Sequence, residues 1–414
     1  MRQQYEPSAD RIIALYHQLE DDILSAVIRR ILKMGYVSEA SKHQLEVLQA
    51  AGLLYDDIVQ LIADRTDACT AQVRALFEDA GVQTVEMDNS LHEAAGALPI
   101  DIRQDSSTRQ VLEAGYKKTL GTMRNLVSTT ATQTQTAFIQ ACDRIYMQVS
   151  SGAFSYQEAI MNALRALADT GTEVVYPTKH KDRMDVAVRR CVLTGVSQTA
   201  AAVSLRQAED AGCYLMEITA HSGARPDHAK WQGQLVTITG KDAGKIIDGL
   251  RVFTLSEIGY GSGEGFKGWN CRHNWHAYYP GLSTPNYTPE ELKKLDEPCI
   301  SYNGKLYTEY EVSQMQRAQE RRVRAWKRRC ITAQEGVNSA KDEATKATAQ
   351  AEFDRSARYL KTNEAKLKDF CRQTGQDRDR FREQVLGFNR STAQKAVHAA
   401  KKSGLTSGRG SGTI

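Results

Sequence analysis

Apolar residues recur at helical spacing through most of this chain, and that periodicity restricts the fold more than any other feature of the sequence. Ile12, Leu15, Tyr16 and Leu19 stand at i, i+3, i+4 and i+7, and Ile23, Val27 and Ile31 extend the stripe. Such spacing gives an α-helix one apolar face, and Gly35 supplies its stop. Ser41 to Ala51, Tyr55 to Ile62 and Thr70 to Phe77 read as further amphipathic helices separated by short glycine-containing turns. Thr108 to Met147 reads as one long helical region in spite of a polar run at 128–136, whose threonines lower local helix preference. Phe138, Ile139, Cys142 and Ile145 keep an apolar face there. Ser155 followed by Glu158 forms a capping box for a helix reaching Ala168. Val188, Val192 and Val196 mark another between Asp182 and Ala211, stopped by Gly212. Aromatic residues are only 7%, which suits long helices better than a sandwich or barrel.

After Gly212 the texture changes. Cys213 to Thr219, Leu235 to Thr239 and Leu250 to Thr254 alternate like strands, with glycine-rich loops between them. Pro285, Pro289 and Pro298 then punctuate a linker, and Asn303-Gly304 is a hairpin-turn signal. From Glu309 the chain is charged and helical. Ala340, Ala344, Ala347 and Ala351 form one seam, while Phe353, Leu360 and Leu367 form another in a shifted register, a non-ideal coiled-coil pattern. The expected fold is mainly α with a small α+β unit, elongated helical regions flanking a compact motif-bearing domain. Its parts are a helical region at 1–212, the α+β unit at 213–282, a linker at 283–300, a charged helical region at 301–385 and a basic, largely disordered tail at 386–414.

Charge is distributed unevenly along this plan. Residues 1–100 hold 8 Lys and Arg against 16 Asp and Glu, residues 101–316 hold 23 against 23, and residues 317–414 hold 23 against 11. A basic end suits a polyanionic partner. Arg317, Arg321, Arg324 and Arg328 share one helical stripe, with Arg322, Lys327 and Arg329 beside it and Trp326 interleaved. These seven are the candidate contacts to DNA phosphates; a solvated helix surface is the alternative. The eight cysteines include no CysXXCys pair and no repeated spacing, which reads as reduced thiols and not as a disulfide framework. The first ten residues lack an apolar signal core, and no run of about 18 apolar residues occurs, so no membrane span is expected.

Two segments are too rich in His, Trp, Arg and Gly to be generic loops. The first runs from His221 to Gly233 and contains Arg225, Pro226, Asp227, His228 and Trp231; the second runs from Gly268 to Gly281 and contains Cys271, Arg272, His273 and His276. Pro226 and Asp227 should open a short helix that places His228 and Trp231 on one face. The second segment should fold back on the first.

With these two segments, and with Tyr302-Asn303-Gly304-Lys305-Leu306-Tyr307-Thr308 running on toward Arg317, Arg321 and Lys327, the sequence resembles the phage minor capsid proteins of the second type, related in role to the Mu F-like head morphogenesis proteins. The resemblance is specific over about residues 210–330. It implies a low-copy virion component of the phage head, made in the host cytoplasm. Its implied partners are the portal and major capsid proteins, scaffold, and packaged double-stranded DNA without sequence preference.

The cluster itself admits other chemistry. His221, His228, Cys271, His273 and His276 are zinc ligands by type, but HisX6His and CysXHisX2His are not standard zinc spacings. Cys271 and His273, two apart on extended backbone, would point the same way. The reading adopted is a polar network of His221, Arg225, His228, Trp231, Cys271, His273 and His276 bracing the α+β unit, with no cofactor; zinc is the alternative. A His–Arg–Asp–His group with a nearby thiol would also suit phosphodiester cleavage by a toxin-like enzyme, yet no base stands out. The glycine-rich Gly261 to Glu264 stretch has no GlyLys[Ser/Thr], and no dinucleotide-binding fingerprint occurs. The chain is therefore read as a structural protein and not an enzyme.

Overall fold

The computed structural model describes residues 2–35, 39–170, 173–176, 178–385 and 387–402. Among them the chain is mainly α with a small α+β part. Helix α1 (Arg2–Met34) buries the apolar stripe Ile12, Tyr16, Leu19, Ile23, Val27 and Ile31. It stops where Gly35 takes φ 74°, a left-handed conformation that only glycine adopts without steric cost.

Helix α2 (Ala40–Ala94) is continuous where the sequence suggested three shorter helices. The buried row Val47, Ala51, Leu54 and Ile58 passes Gly52 at i, i+4, i+7 and i+11. Burying that face offsets the roughly 1 kcal/mol that an interior glycine costs. Helix α3 (Ser106–Ser150) likewise runs through the threonine stretch. Thr130 and Thr136 donate back to the carbonyls of Leu126 and Thr132, which satisfies their hydroxyls inside the helix. Helix α4 (Tyr156–Thr170) opens on the expected box: the Glu158 carboxylate accepts from the Ser155 N–H at 3.0 Å, and Ser155 Oγ accepts from the Glu158 N–H at 3.2 Å. A short antiparallel pair, β1 (Glu173–Val175) and β2 (Lys181–Arg183), leads into α5 (Met184–Asp210).

A five-stranded sheet follows. It contains β3 (Leu215–Ile218), β4 (Leu235–Thr237), β5 (Ile246–Ile247), β6 (Leu250–Thr254) and β7 (Trp275–Tyr278), in the order β5-β6-β4-β3-β7. The single-turn helix α6 (Pro226–Ala229) lies between β3 and β4. Strand β3 is antiparallel to both neighbours, whereas β4 and β6 are parallel. The stretch expected to be a linker holds α7 (Pro289–Leu295), because Thr288 and Glu291 make a reciprocal capping box and Pro289 is tolerated in a first turn. Strands β8 (Ile300–Tyr302) and β9 (Lys305–Tyr307) form the expected hairpin, with Asn303 and Gly304 both at positive φ.

Helices α8 (Glu309–Ser339) and α9 (Glu343–Thr374) are separated by a break that Asp342 caps. The alanine seam does not form. Ala340 sits in the break and Ala344, Ala347 and Ala351 are exposed, while Phe353, Leu360 and Leu367 are buried with Ala349 and Ala357. Leucine and phenylalanine remove far more apolar surface from water than alanine, so their face wins. Residues expected in the disordered tail form α10 (Arg390–Lys402), which buries Thr392, Ala396, Ala399 and Ala400 and packs on α9. The last part of that expected tail, 403–414, lies outside the described residues.

The chain divides into two compact units. The first comprises Met1–Ile13, Thr66–Asn125 and Val186–Gln314; the second comprises Ala14–Arg65, Leu126–Asp185 and Met315–Ile414. The divisions fall inside α1, α2, α3, α5 and α8, so the stretch 1–212 contributes to both units. In the second unit, Gly336 meets Ala349 near the break and Trp326 stacks on Tyr359 farther along, the register of an antiparallel helical hairpin. Arg165 pairs with the buried Glu352 at 2.7 Å in the same unit.

In the first unit, α3 and α5 approach closely at two reciprocal contacts. A Cβ on Gly115 would lie 2.0 Å from Thr199 Oγ1, and one on Gly195 would lie 2.1 Å from Thr119 Oγ1. Threonine is stiff at χ1, and the Cβ of Thr199 would itself be only 3.0 Å away, so no rotamer relieves the overlap. Gly115→Ala should therefore destabilise by about 1–3 kcal/mol in chemical denaturation, against the roughly 1 kcal/mol gain that helix propensity alone would give. Gly52→Ala, with open space around its Cβ, should give that gain. Equal stabilisation by both substitutions would show that the helix approach is not set by these glycines.

Candidate functional site

The site is assembled by the pairing of β3. Its C-terminal residue Ile218 is paired with Trp275, the first residue of β7. The first motif segment leaves the sheet after β3 and the second enters it just before β7, so antiparallel pairing sets the two side by side. The Thr219 N–H donates to the Asn274 carbonyl at 2.8 Å and continues this pairing by one bond. The first segment then closes on itself, because the Gly233 N–H donates to the Ile218 carbonyl at 2.9 Å. Pro226 stands in the first turn of α6, as expected, and that turn puts His228 and Trp231 on one face with ring centroids 4.5 Å apart.

The two segments bury a compact group. His228, Trp231, Cys271 and His273 are all under 5% exposed. His273 lies at its centre: its ring is 4.3 Å from that of His221, 4.8 Å from Trp231 and 5.4 Å from His228. Cys271 Sγ lies 3.6 Å from His273 Nδ1, and His273 Nε2 is 3.2 Å from Gln232 Oε1. Arg225 bridges Asp227 at 3.0 Å and His228 Nε2 at 2.7 Å, and also donates to the Glu264 carbonyl. Trp231 continues inward onto Phe266, and Phe266 onto Trp275, so the polar group rests on an aromatic core.

Burial fixes the protonation of these imidazoles. It pushes His273 down to about 2, helped by the neighbouring His221 and His228, and lowers His221 and His228 as well. Desolvation disfavours the charged form, so His273 is neutral at physiological pH.

Of the seven residues expected in one network, the fold gathers six and separates one. His276 follows Trp275 on β7, and strand alternation turns it to the opposite face. There it meets the fully buried Glu217, its cross-strand partner, at 3.3 Å, and Asn286 donates to the same carboxylate at 2.9 Å. Sequence reasoning did not single out Gln232, Glu217 or Lys267. Lys267 is 3% exposed and donates to Asn274 Oδ1 at 2.7 Å. A lysine and a glutamate inside apolar or glycine-rich runs were the available signal.

The basic stripe is largely engaged within the second unit. Arg324 and Lys327 donate to the carbonyls of Arg382 and Glu383, and Arg329 makes two bonds to Asp169 at 2.6 and 2.8 Å while lying over the Trp326 ring. Arg328 is buried. Arg317 is half-buried, and Arg321 and Arg322 are exposed.

Among the described residues, a mainly helical chain carries a buried His/Cys/Trp cluster built on the antiparallel pairing of β3 and β7. The chain belongs to the family described as phage minor capsid protein 2, which it matches over residues 2–372. It is 25% identical over 334 residues to a structural protein of Lactococcus phage LL-H, covering 78% of this chain and 86% of that one. It is also 37% identical over 81 residues to a structural protein of Lactococcus phage mv4, covering 20% of this chain and 57% of that one. No solved structure matches.

The packing makes Trp231 the principal anchor of the cluster. Trp231→Ala should cost about 3–5 kcal/mol in the unfolding of the first unit. Trp269→Ala, at a residue 52% exposed, should cost about 1 kcal/mol or less. Denaturant titration followed by circular dichroism checks both, and equal costs would contradict the anchoring role.

Proposed function

We propose that this chain is a minor structural component of a tailed-phage head, docked through its helical surfaces on the portal or the procapsid interior. The observation that carries this reading is the family match, which spans both motif segments and the helices before and after them. The printed roles of the two phage relatives support it. The buried state of His228, Cys271 and His273 supports a non-catalytic reading, because their side chains are not presented to a substrate at the surface. No described helix is long and apolar enough to cross a membrane. The partners proposed are the portal and major capsid proteins, with scaffold during assembly in the host cytoplasm.

Contact with packaged DNA is a second part of the reading, favoured by the excess of basic residues after Gln316. Because Arg324, Lys327, Arg328 and Arg329 are engaged or buried, the exposed Arg321 and Arg322 are the phosphate contacts to test, and neither reads base edges. Replacing both by Gln should reduce the log–log salt slope of DNA binding by about 2; an unchanged slope removes this stripe from the interface.

Purified particles should contain this chain at far lower copy than the major coat protein, and cross-linking should join it to the portal. Quantitative mass spectrometry of particles and of infected-cell lysate checks this. Normal expression in the cell with absence from particles would overturn the structural role.

A further inference from the structure

We propose that Cys271, His273 and His228 bind one zinc ion that ties the two motif segments together. The three residues are buried, and one donor atom from each lies within 4.8 Å of the others. They come from both segments: His228 from the turn after β3, Cys271 and His273 from the strand-like approach to β7. HisX6His and CysXHisX2His are not standard zinc spacings, and the fold takes His276 out of the second of them. It brings His228, from the other segment, to Cys271 and His273.

The local geometry suits the ion. Zn–S near 2.3 Å and Zn–N near 2.0–2.1 Å at a tetrahedral angle place sulfur and nitrogen about 3.5 Å apart. Cys271 Sγ and His273 Nδ1 already stand 3.6 Å apart. The far side of each imidazole is held by an acceptor, as in metal sites generally. His273 Nε2 faces Gln232 Oε1 at 3.2 Å, and His228 Nε2 faces the Glu264 carbonyl at 2.8 Å. Gln232 Oε1 only accepts, so His273 Nε2 carries the proton and its Nδ1 keeps the lone pair. His228 Nε2 lies between the Glu264 carbonyl and the donor Arg225 Nη2 at 2.7 Å, and zinc at Nδ1 would hold its proton toward Glu264.

His221 stands beside these three but outside the group whose donor atoms converge. Its Nδ1 is 2.8 Å from the Ser222 carbonyl, which leaves the lone pair on Nε2, and that buried atom has no hydrogen-bond partner. Its ring already stacks on His273. Thiolate with imidazole favours zinc over magnesium or calcium. Binding converts the Cys271 thiol to a thiolate and releases its proton to solvent.

The test uses the full-length protein, stripped with a chelator and titrated with zinc and with cobalt(II). One zinc per chain is expected, together with thiolate-to-cobalt charge-transfer absorption and tetrahedral cobalt bands. Cys271→Ser should abolish the charge-transfer band, and His273→Gln or His228→Gln should weaken zinc binding at least about 100-fold. Gln232→Leu, which removes the oxygen that faces His273 Nε2 and also accepts from the His221 N–H, should weaken it about 10–100-fold. Cys299→Ser, at an exposed cysteine, should leave it unchanged. The wild-type titration needs no variant to fold. Folded wild-type protein that takes up no stoichiometric zinc and shows no thiolate–cobalt absorption overturns the proposal, and so does zinc retained at full affinity by Cys271→Ser. Neither outcome bears on the presence of the chain in particles.

Discussion

Strand β3 is the element on which the motif-bearing part of the molecule depends. All four of its residues are buried, and it is hydrogen-bonded to β4 on one side and β7 on the other. Two short neighbours could not hold a sheet alone, since an isolated pair of strands is marginal in water. With β3 between them, both motif segments are forced to one end of the same sheet. The cluster of His221, His228, Trp231, Cys271 and His273 is a consequence of that antiparallel arrangement, and the aromatic row of Trp231, Phe266 and Trp275 beneath it gives the arrangement its apolar support.

The two faces of the sheet are used differently. Trp275 and Ala277 join the core with Trp231 and Phe266, while Leu215 and Tyr278 pack with Leu235, Leu250 and Val252 in a second cluster. The buried Glu217 and the half-buried His276 lie together as a cross-strand pair, closed by Asn286. A buried carboxylate is costly unless its oxygens are satisfied; here Glu217 accepts from the Asn286 backbone and side chain and faces the imidazole. This group pins the chain after β7 back onto β3.

Long helices impose a different logic on the rest of the chain. Helices α1, α2, α3 and α8 each contribute residues to both compact units, so the units interleave along the sequence. Close helix approach in the first unit relies on small residues, with Gly115 against Thr199 and Gly195 against Thr119. In the second unit, ion pairs and stacked rings reinforce the helix contacts: Arg165 with Glu352, Arg329 with Asp169 and Trp326 with Tyr359. This use of arginine explains why a run that reads as a phosphate stripe is mostly occupied at home.

The sequence by itself determined the helical class, the Gly35 and Gly212 stops, the Ser155–Glu158 capping box, three of the sheet strands and the Asn303-Gly304 hairpin. Each follows from neighbours within about four residues, the range over which helix periodicity, caps and turns act. It also marked the two motif segments. Tertiary structure decided the continuity of α2, because only the buried row beneath Gly52 outweighs the glycine penalty. It decided which helical face of α9 is inside, since that depends on what packs opposite. It decided the membership of the His/Cys cluster as well: β7 alternation sends His276 away, while pairing with β3 carries His228 to Cys271 across more than forty residues of chain. Local rules carry no information about a contact whose two halves are brought together only by a strand between them.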